Sequence, residues 1–213
     1  MYRLPLASLL PLHRLAGLAL GCTLLMTACA SAPRTAAVTK PGPLPTVANV
    51  DLGKYTGQWY EVARYDNRWQ RGTVNVIADY SLYPNGTIKL ANSARKDSLT
   101  GKVKKGTGKG SVKKGSNNAK WRVQFVWPFK ADYWIIDLCP DYQWAVVGQP
   151  SRDNLWILSR TPVLDADIVT GIHTRLQTNG YDIKKLVTTT QPVDAPTFAP
   201  GGGIVQPPKP EGG

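Results

Sequence analysis

The chain has 213 residues, with 26 Lys and Arg against 14 Asp and Glu for a formal net charge of +12, 42% apolar residues and three Cys. That apolar share is too high for a wholly disordered polymer, and no late stretch carries the roughly 20 apolar residues that a membrane-spanning helix needs. Cys22, Cys29 and Cys139 make neither a zinc cluster nor a disulfide framework, because two of them fall inside an N-terminal apolar segment.

Residues 1–28 carry Arg3 and Arg14, no acidic residue, and an apolar run from Leu15 to Ala28 that ends at Cys29. A basic start, a short apolar middle and small residues at the cut describe a secretory signal peptide. Leu25-Met26-Thr27-Ala28-Cys29 resembles the lipobox of bacterial lipoproteins, which implies that Cys29 is acylated and becomes the new N-terminus. Each buried methylene adds about 0.8 kcal/mol of membrane affinity, so a multiply acylated Cys holds the protein to a bilayer. An ordinary signal peptide cut near Ala32 is the alternative, and Cys22 is a poorer lipidation candidate because cutting there leaves Leu24-Leu25-Met26 exposed. Ala30, in place of the Asp that resembles an inner-membrane retention signal, points to the periplasmic face of the outer membrane.

Residues 29–50 hold Pro33, Pro41, Pro43 and Pro45 among small side chains and read as a flexible tether. Residues 191–213 are rich in Pro and Gly and read as a disordered tail, which confines the folded domain to 51–190.

Within that domain, short β-rich runs alternate with turn residues. Val74 to Tyr83 places Val76, Ala78, Tyr80 and Leu82 on one face, and Asn85-Gly86, the strongest short hairpin signal, precedes Thr87 to Ala91. Trp121 to Trp127 alternates again, Pro128 to Asp132 reads as a turn, and Tyr133 to Leu138 resumes. After Cys139-Pro140-Asp141 come Tyr142 to Gly148 and Leu155 to Arg160. Sequential hairpins imply an antiparallel up-and-down sheet that closes into a barrel and so removes its edges. One helix follows Thr161-Pro162, with Leu164, Ile168, Ile172 and Leu176 at every fourth position until Asn179-Gly180 stops it. His173 is read as a surface residue of that helix, and Leu186 to Thr190 as a last short strand.

Gly57-Gln58-Trp59, Asp141-Tyr142 and Arg160, in that order and with a helix beginning just after the third, resemble the three motifs of the lipocalin family. Asp141 to Val147 and Asn154 to Pro162 are similar to the bacterial outer membrane lipoproteins of that family. The resemblance implies an all-β fold: an eight-stranded up-and-down antiparallel barrel with one C-terminal flanking α-helix. Gly57 permits a sharp bend, Trp59 plugs the narrow end, and Arg160 can lie across the indole in a cation–π contact worth about 0.5–2 kcal/mol. Such a barrel is just wide enough inside for one small ligand.

Alternation from Trp59 and Arg160 turns Glu61, Trp156 and Leu158 inward, with Val123, Phe125, Tyr133 and Ile135 chosen from the strands between; a one-residue slip would reverse each set. For Trp121, Trp134 and Trp144, core packing and cavity lining stay equally open. The resemblance implies a fatty acid or lysophospholipid as ligand, stored or transported in the cell envelope, and a homodimer that no residue here supports independently. No cofactor, metal or nucleic acid is expected. No Gly-x-Ser-x-Gly elbow is present, and Glu61, Asp79, Asp137 and Tyr133 are the only plausible proton-transfer groups, so a binding protein rather than an enzyme is expected. Cys139 reads as a small buried residue near a turn.

Arg95 to Lys114 holds eight Lys and Arg against Asp97 alone, interleaved with Gly101, Gly106, Gly108 and Gly110. It reads either as a solvated, flexible hairpin tip or as a segment that attracts anionic lipid or lipopolysaccharide. The second option supports an alternative function, a surface protein of the envelope whose interior is simply packed.

Overall fold

A computed structural model describes residues 42–201; the leader, Cys29 and the first part of the tether lie outside the described residues. The elements run α1 (Leu52–Tyr55), β1 (Gly57–Tyr65), β2 (Thr73–Leu82), β3 (Ile88–Lys96), β4 (Val103–Val112), β5 (Lys120–Val126), β6 (Phe129–Leu138), β7 (Trp144–Gly148), β8 (Leu155–Ser159), α2 (Ala166–Thr178), a 3-10 turn (Ile183–Lys185) and β9 (Leu186–Thr188). Each strand from β2 to β7 pairs antiparallel with the next, and β1 pairs with both β8 and β2, so eight strands close into a barrel. Beyond Tyr60 the β1–β2 pairing ends, and β9 takes the free edge by pairing Leu186–Thr188 with Ala63–Tyr65.

Two stretches that composition marks as unstructured belong to the body. At the front, Leu44 and Val50 are buried, and the Val47 and Val50 amides donate to the carbonyls of Ile135 and Asn117, so 42–50 is packed chain rather than tether. At the back, the Gln191 amide donates to the carbonyls of Glu61 and Val76. Phe198 stacks on Tyr60 with ring centroids 4.4 Å apart, and the Tyr60 hydroxyl donates to the Pro196 carbonyl. The reading of 191–201 as disordered is therefore corrected: one aromatic ring and one amide offset the conformational freedom of the prolines around them.

Three local expectations also change. The basic segment is mostly strand, since β4 pairs with β3 along its whole inner length, from Val103 against Arg95 to Gly110 against Ile88. The turn between β5 and β6 contains only Trp127 and Pro128, so residues read as turn, Phe129 to Asp132, lie in β6. The helix begins at Ala166 rather than after Thr161, because the Thr161 hydroxyl donates to the Val163 carbonyl and holds an extra turn ahead of it. Ile172 and Leu176 are buried against Ile136, Val146, Leu155 and Ile157 on the barrel's outer face, with Leu164 and Ile168 packed beside them. Burying side chains of this size contributes about 1.5–3 kcal/mol each. His173 is half-exposed on the helix, as its position between the apolar residues implies.

The tail contact is directly testable. Phe198→Ala should lower the unfolding free energy by about 1 kcal/mol, the scale of an aromatic pair, with urea denaturation as the measurement; a loose tail would give no change.

Candidate ligand site in the open half of the barrel

One end of the barrel is shut around Arg160. Gly57 enters β1 at φ 92°, a conformation that a side chain would strain, and this bend carries the chain from α1 into the wall. The Arg160 guanidinium lies 3.5 Å from the centroid of Trp59 and donates to the carbonyls of Gln58, Lys54, Tyr55, Thr56 and Tyr142. Burial pulls its pKa down to about 10, and it remains a cation at neutral pH. Tyr142, at φ 61°, accepts from the Asp51 amide through its hydroxyl, and Asp141 accepts from the Gln143 amide. Cys139 is half-buried and donates its thiol to Asp141; burial, followed by that bond, raises its pKa.

The floor is thicker than a single indole. The four-residue helix α1 sends Tyr55 up into the barrel, where it meets Trp59, Tyr80 and Trp121 at 5.2, 6.1 and 5.3 Å between centroids. Tyr133 stacks on Trp121 at 4.8 Å. The hydroxyls form a chain, Tyr55 to Tyr133 at 2.8 Å and Tyr133 to Tyr80 at 3.2 Å, so each buried polar tip has a partner. Five rings thus fill the closed half, and any hollow begins above them.

The predicted lining residues divide accordingly. All seven face inward by register: Glu61 pairs with Leu158, Val123 with Ala131, and Trp156 with Val147. Tyr133 belongs to the floor, and Ile135 and Leu158 are packed into it with almost no exposure. Glu61 is buried and fully engaged: it accepts from Arg64 at 2.8 Å, from the Thr189 hydroxyl and from the Gln70 amide. Val123, Phe125 and Trp156 lie higher. Phe125 is 43% exposed on the inner face, and the Trp156 indole donates to Gln70 from a half-buried position. Of the undecided tryptophans, Trp121 is floor, whereas Trp134 and Trp144 lie outside beneath Lys120 and Arg175.

The inner face of β4 escaped the sequence reading. Gly106, Gly108 and Gly110 sit opposite Asn92, Leu90 and Ile88 and point inward at every second residue. A Cβ on Gly106 would meet nothing within 4 Å, while one on Gly108 would collide with the Phe125 ring at 2.8 Å. Space is therefore open at Gly106, at the level of Phe125 and the half-buried Asn92, whereas Phe125 and Leu90 occupy the positions beside Gly108 and Gly110. The signal was the i, i+2, i+4 spacing of glycines in a strand.

The four groups able to move a proton are kept apart. Glu61 is ion-paired inside, Tyr133 is in the hydroxyl chain, Asp79 faces outward beside Gln58, and Asp137 is paired with Arg175 at 2.6 Å on the outer surface. Among the described residues no cluster of three His, Cys, Asp or Glu could hold a metal ion.

Comparison with known proteins agrees with this geometry. The family model described as "Lipocalin-like domain" matches residues 50–191. The outer membrane lipoprotein Blc of Escherichia coli K12 is 34% identical over 168 residues, 79% of this chain and 91% of its own. Temperature-induced lipocalin-1 of Arabidopsis thaliana is 35% identical over 162 residues, covering 72% and 86%. Mouse apolipoprotein D is 36% identical over 168 residues, covering 74% and 85%. The structure of insecticyanin from the tobacco hornworm Manduca sexta superposes with a TM-score of 0.58 at 18% identity over 78% of this chain and 93% of that one, a likeness of fold.

The tyrosine floor makes stability depend on alkaline pH. Burial raises Tyr80 to about 12 and holds Tyr55 and Tyr133 well above their ordinary value of 10. A phenol whose folded pKa is raised contributes stability that is complete below pH 10 and is lost as pH climbs through the folded value. Unfolding free energy should therefore fall between pH 10 and 12, and Tyr80→Phe should flatten that fall. Phenolate absorbance near 295 nm, followed together with circular dichroism, measures both.

Proposed function

The chain belongs to the lipocalin-like family, and from that premise we propose that it holds a fatty acid or lysophospholipid in the open half of its barrel, for storage or transport of lipid in the cell envelope. The observation that carries the reading is the inner face of the upper half: Gly106 on β4 leaves space where a side chain would stand, and Val123, Phe125 and Trp156 lie on the same inner face above a sealed aromatic floor. An acyl chain displaces water from apolar walls, which is the usual basis of a small-molecule pocket with few polar groups. The head group stays toward the mouth, because the floor offers no unpaired polar tip. Arg64 reaches the same interior, but its charge is committed to Glu61.

The engagement of Glu61, Tyr133 and Asp137 by neighbouring side chains supports binding rather than catalysis. The name of the Escherichia coli relative supports the same compartment for this chain, the outer membrane, with Cys29 as the acylated anchor and the domain on the periplasmic side. Cys29→Ser should move the protein out of the membrane fraction. A homodimer is carried over from the resemblance alone.

Organic extraction of the purified, denatured protein followed by mass spectrometry should yield about one fatty acid or lysophospholipid per chain. Gly106→Trp places a ring in open space at a permissive backbone position and should weaken binding of a fluorescent fatty acid at least tenfold with the fold intact. An empty extract together with unchanged affinity in Gly106→Trp would sink the reading.

A further inference from the structure

The open end carries four turns: 66–72, 97–102, 127–128 and 149–154. Of the ten large apolar side chains exposed among the described residues, seven lie at this end: Trp69, Leu99, Val103, Phe125, Val126, Trp127 and Phe129. The outermost are Trp127 at 84%, Phe129 at 75% and Trp69 at 70% exposure. Strand order places the first three turns one after another around the rim, so the apolar tips share one arc of it. Phe125 lies on the inner face, and Phe129 shares the face of Ala131 at the rim; all seven side chains remain exposed. Exposed aromatics concentrated at one end of a protein mark a surface that meets another phase or partner.

The charges beside them are one-sided. Lys102, Lys105 and Lys130 flank the arc and make no ion pair among the described residues, and Arg68 covers Trp69 with its guanidinium 4.0 Å from the ring centroid. The acids beside the arc are already occupied, Asp66 by Arg71, Asp97 by Lys96 and Asp132 by Arg122, while Asp153, in the fourth turn, makes no ion pair among the described residues. Residues 103–107 of β4 pair with β3, while the β4–β5 pairing starts only at Lys109, so the lysine-bearing hairpin stands beyond the neighbouring strand. Aromatic side chains at the tips with unpaired cations behind them are the make-up of a membrane-interface belt over anionic head groups. A protein partner would need acidic and apolar surface together; a bilayer supplies both across a flat face.

We propose that the open mouth docks onto an anionic lipid surface, with Trp127, Phe129 and Trp69 at the level of the head groups and Lys102, Lys105 and Lys130 facing lipid phosphates. The docking concerns the rim and stands whatever the hollow holds. It would place the mouth of the cup against the bilayer, so that an acyl chain could pass between them without crossing bulk water.

The test uses the full chain carrying Cys29→Ser, so that no acyl anchor contributes. The chain is mixed with vesicles of phosphatidylcholine and about one-third phosphatidylglycerol, whose acyl chains carry bromine to quench nearby indoles. Quenching should appear on these vesicles, be much weaker on pure phosphatidylcholine, and fall with added salt as the surface potential is screened. Trp127→Phe should keep vesicle binding and lose the share of quenching due to Trp127, leaving that of Trp69. Each cation at such a surface is worth roughly fivefold in partitioning, so Lys102→Glu/Lys105→Glu/Lys130→Glu should lower it at least tenfold. Trp127→Ser/Phe129→Ser should lower co-sedimentation with the vesicles several-fold with an unchanged thermal melt, since these side chains are exposed, and undiminished co-sedimentation would overturn the proposal. Equal quenching in the parent and in Trp127→Phe would overturn the proposal. So would a tip-dependent dimer in analytical ultracentrifugation whose loss leaves vesicle binding unaltered, because the arc would then face a second copy. Neither result bears on the fatty-acid titration of Gly106→Trp, so the two readings fail separately.

Discussion

A buried guanidinium with no carboxylate beside it would ordinarily be expensive, yet Arg160 draws its partners from four separate places. It takes carbonyls from α1, from Thr56 at the end of α1, from Gln58 on β1 and from Tyr142 in the turn between β6 and β7, and it lies flat on Trp59. Its own backbone accepts from the Phe198 amide and donates to Gln143, which brings the tail to the same point. Charge-assisted bonds of this kind contribute about 1.5–3 kcal/mol each in favourable settings, and removing the cation would leave several carbonyls facing an apolar floor. The end of the barrel that holds Arg160 is therefore shut, and the hollow can form only at the other. Polarity of the whole molecule, floor against mouth, follows from that one residue.

The wall has a second seam, where β1 leaves β2. β9 and the residues after it bridge the gap: the Thr189 amide bonds to Val62, the Asn75 amide to Thr190, and the Gln191 side chain spans Glu61 and Val76. Inside the same seam, Glu61 and Arg64 form a buried pair whose other oxygens and terminal nitrogens are met by Thr189, Gln70 and the Gln70 carbonyl, while Arg64 Nε is left without a partner. A buried pair adds little net stability over an apolar substitute, but breaking it would strand a charge in the wall. Glu61 is thus a wall clamp that faces inward, which is why facing inward did not make it free to meet a ligand.

The parts of the fold legible in the sequence are those with a periodic apolar signal or a glycine of special conformation. β5 alternates apolar and polar residues, so Val123 and Phe125 could be placed on the inner face, and counting by twos from Arg160 places Leu158 and Trp156 on the otherwise apolar β8; Gly57, Trp59 and Arg160 follow from a spaced motif. Tyr55 could not be placed, because a four-residue helix has no periodicity and its packing depends on a turn set by Asp51 and Arg160. Phe198 was hidden for a different reason: a lone ring among Pro and Gly carries no local preference, and only Tyr60, far away in sequence, gives it a place. Secondary structure set by long-range contacts is invisible to a local reading.

β4 is the strand in which both readings of function meet, and it has almost no apolar residues. Its alternation is of size and charge instead of hydropathy: Gly106, Gly108 and Gly110 turn inward, while Lys105, Thr107 and Lys109 turn outward. A strand is normally held in register by burial of one face, yet glycines bury almost nothing. Register here is supplied from β3, whose Ile88 and Leu90 are buried opposite Gly110 and Gly108, and from the Phe125 ring seated on Gly108. The neighbours therefore carry the apolar burial that β4 lacks, and β4 is left to provide space inside and positive charge outside. A one-residue slip would put lysines in the hollow and glycines on the rim, removing the open volume and the cationic surface together. The same period of two that sets the barrel's inside from its outside thus couples the room for an acyl chain to the charge that would meet a lipid surface.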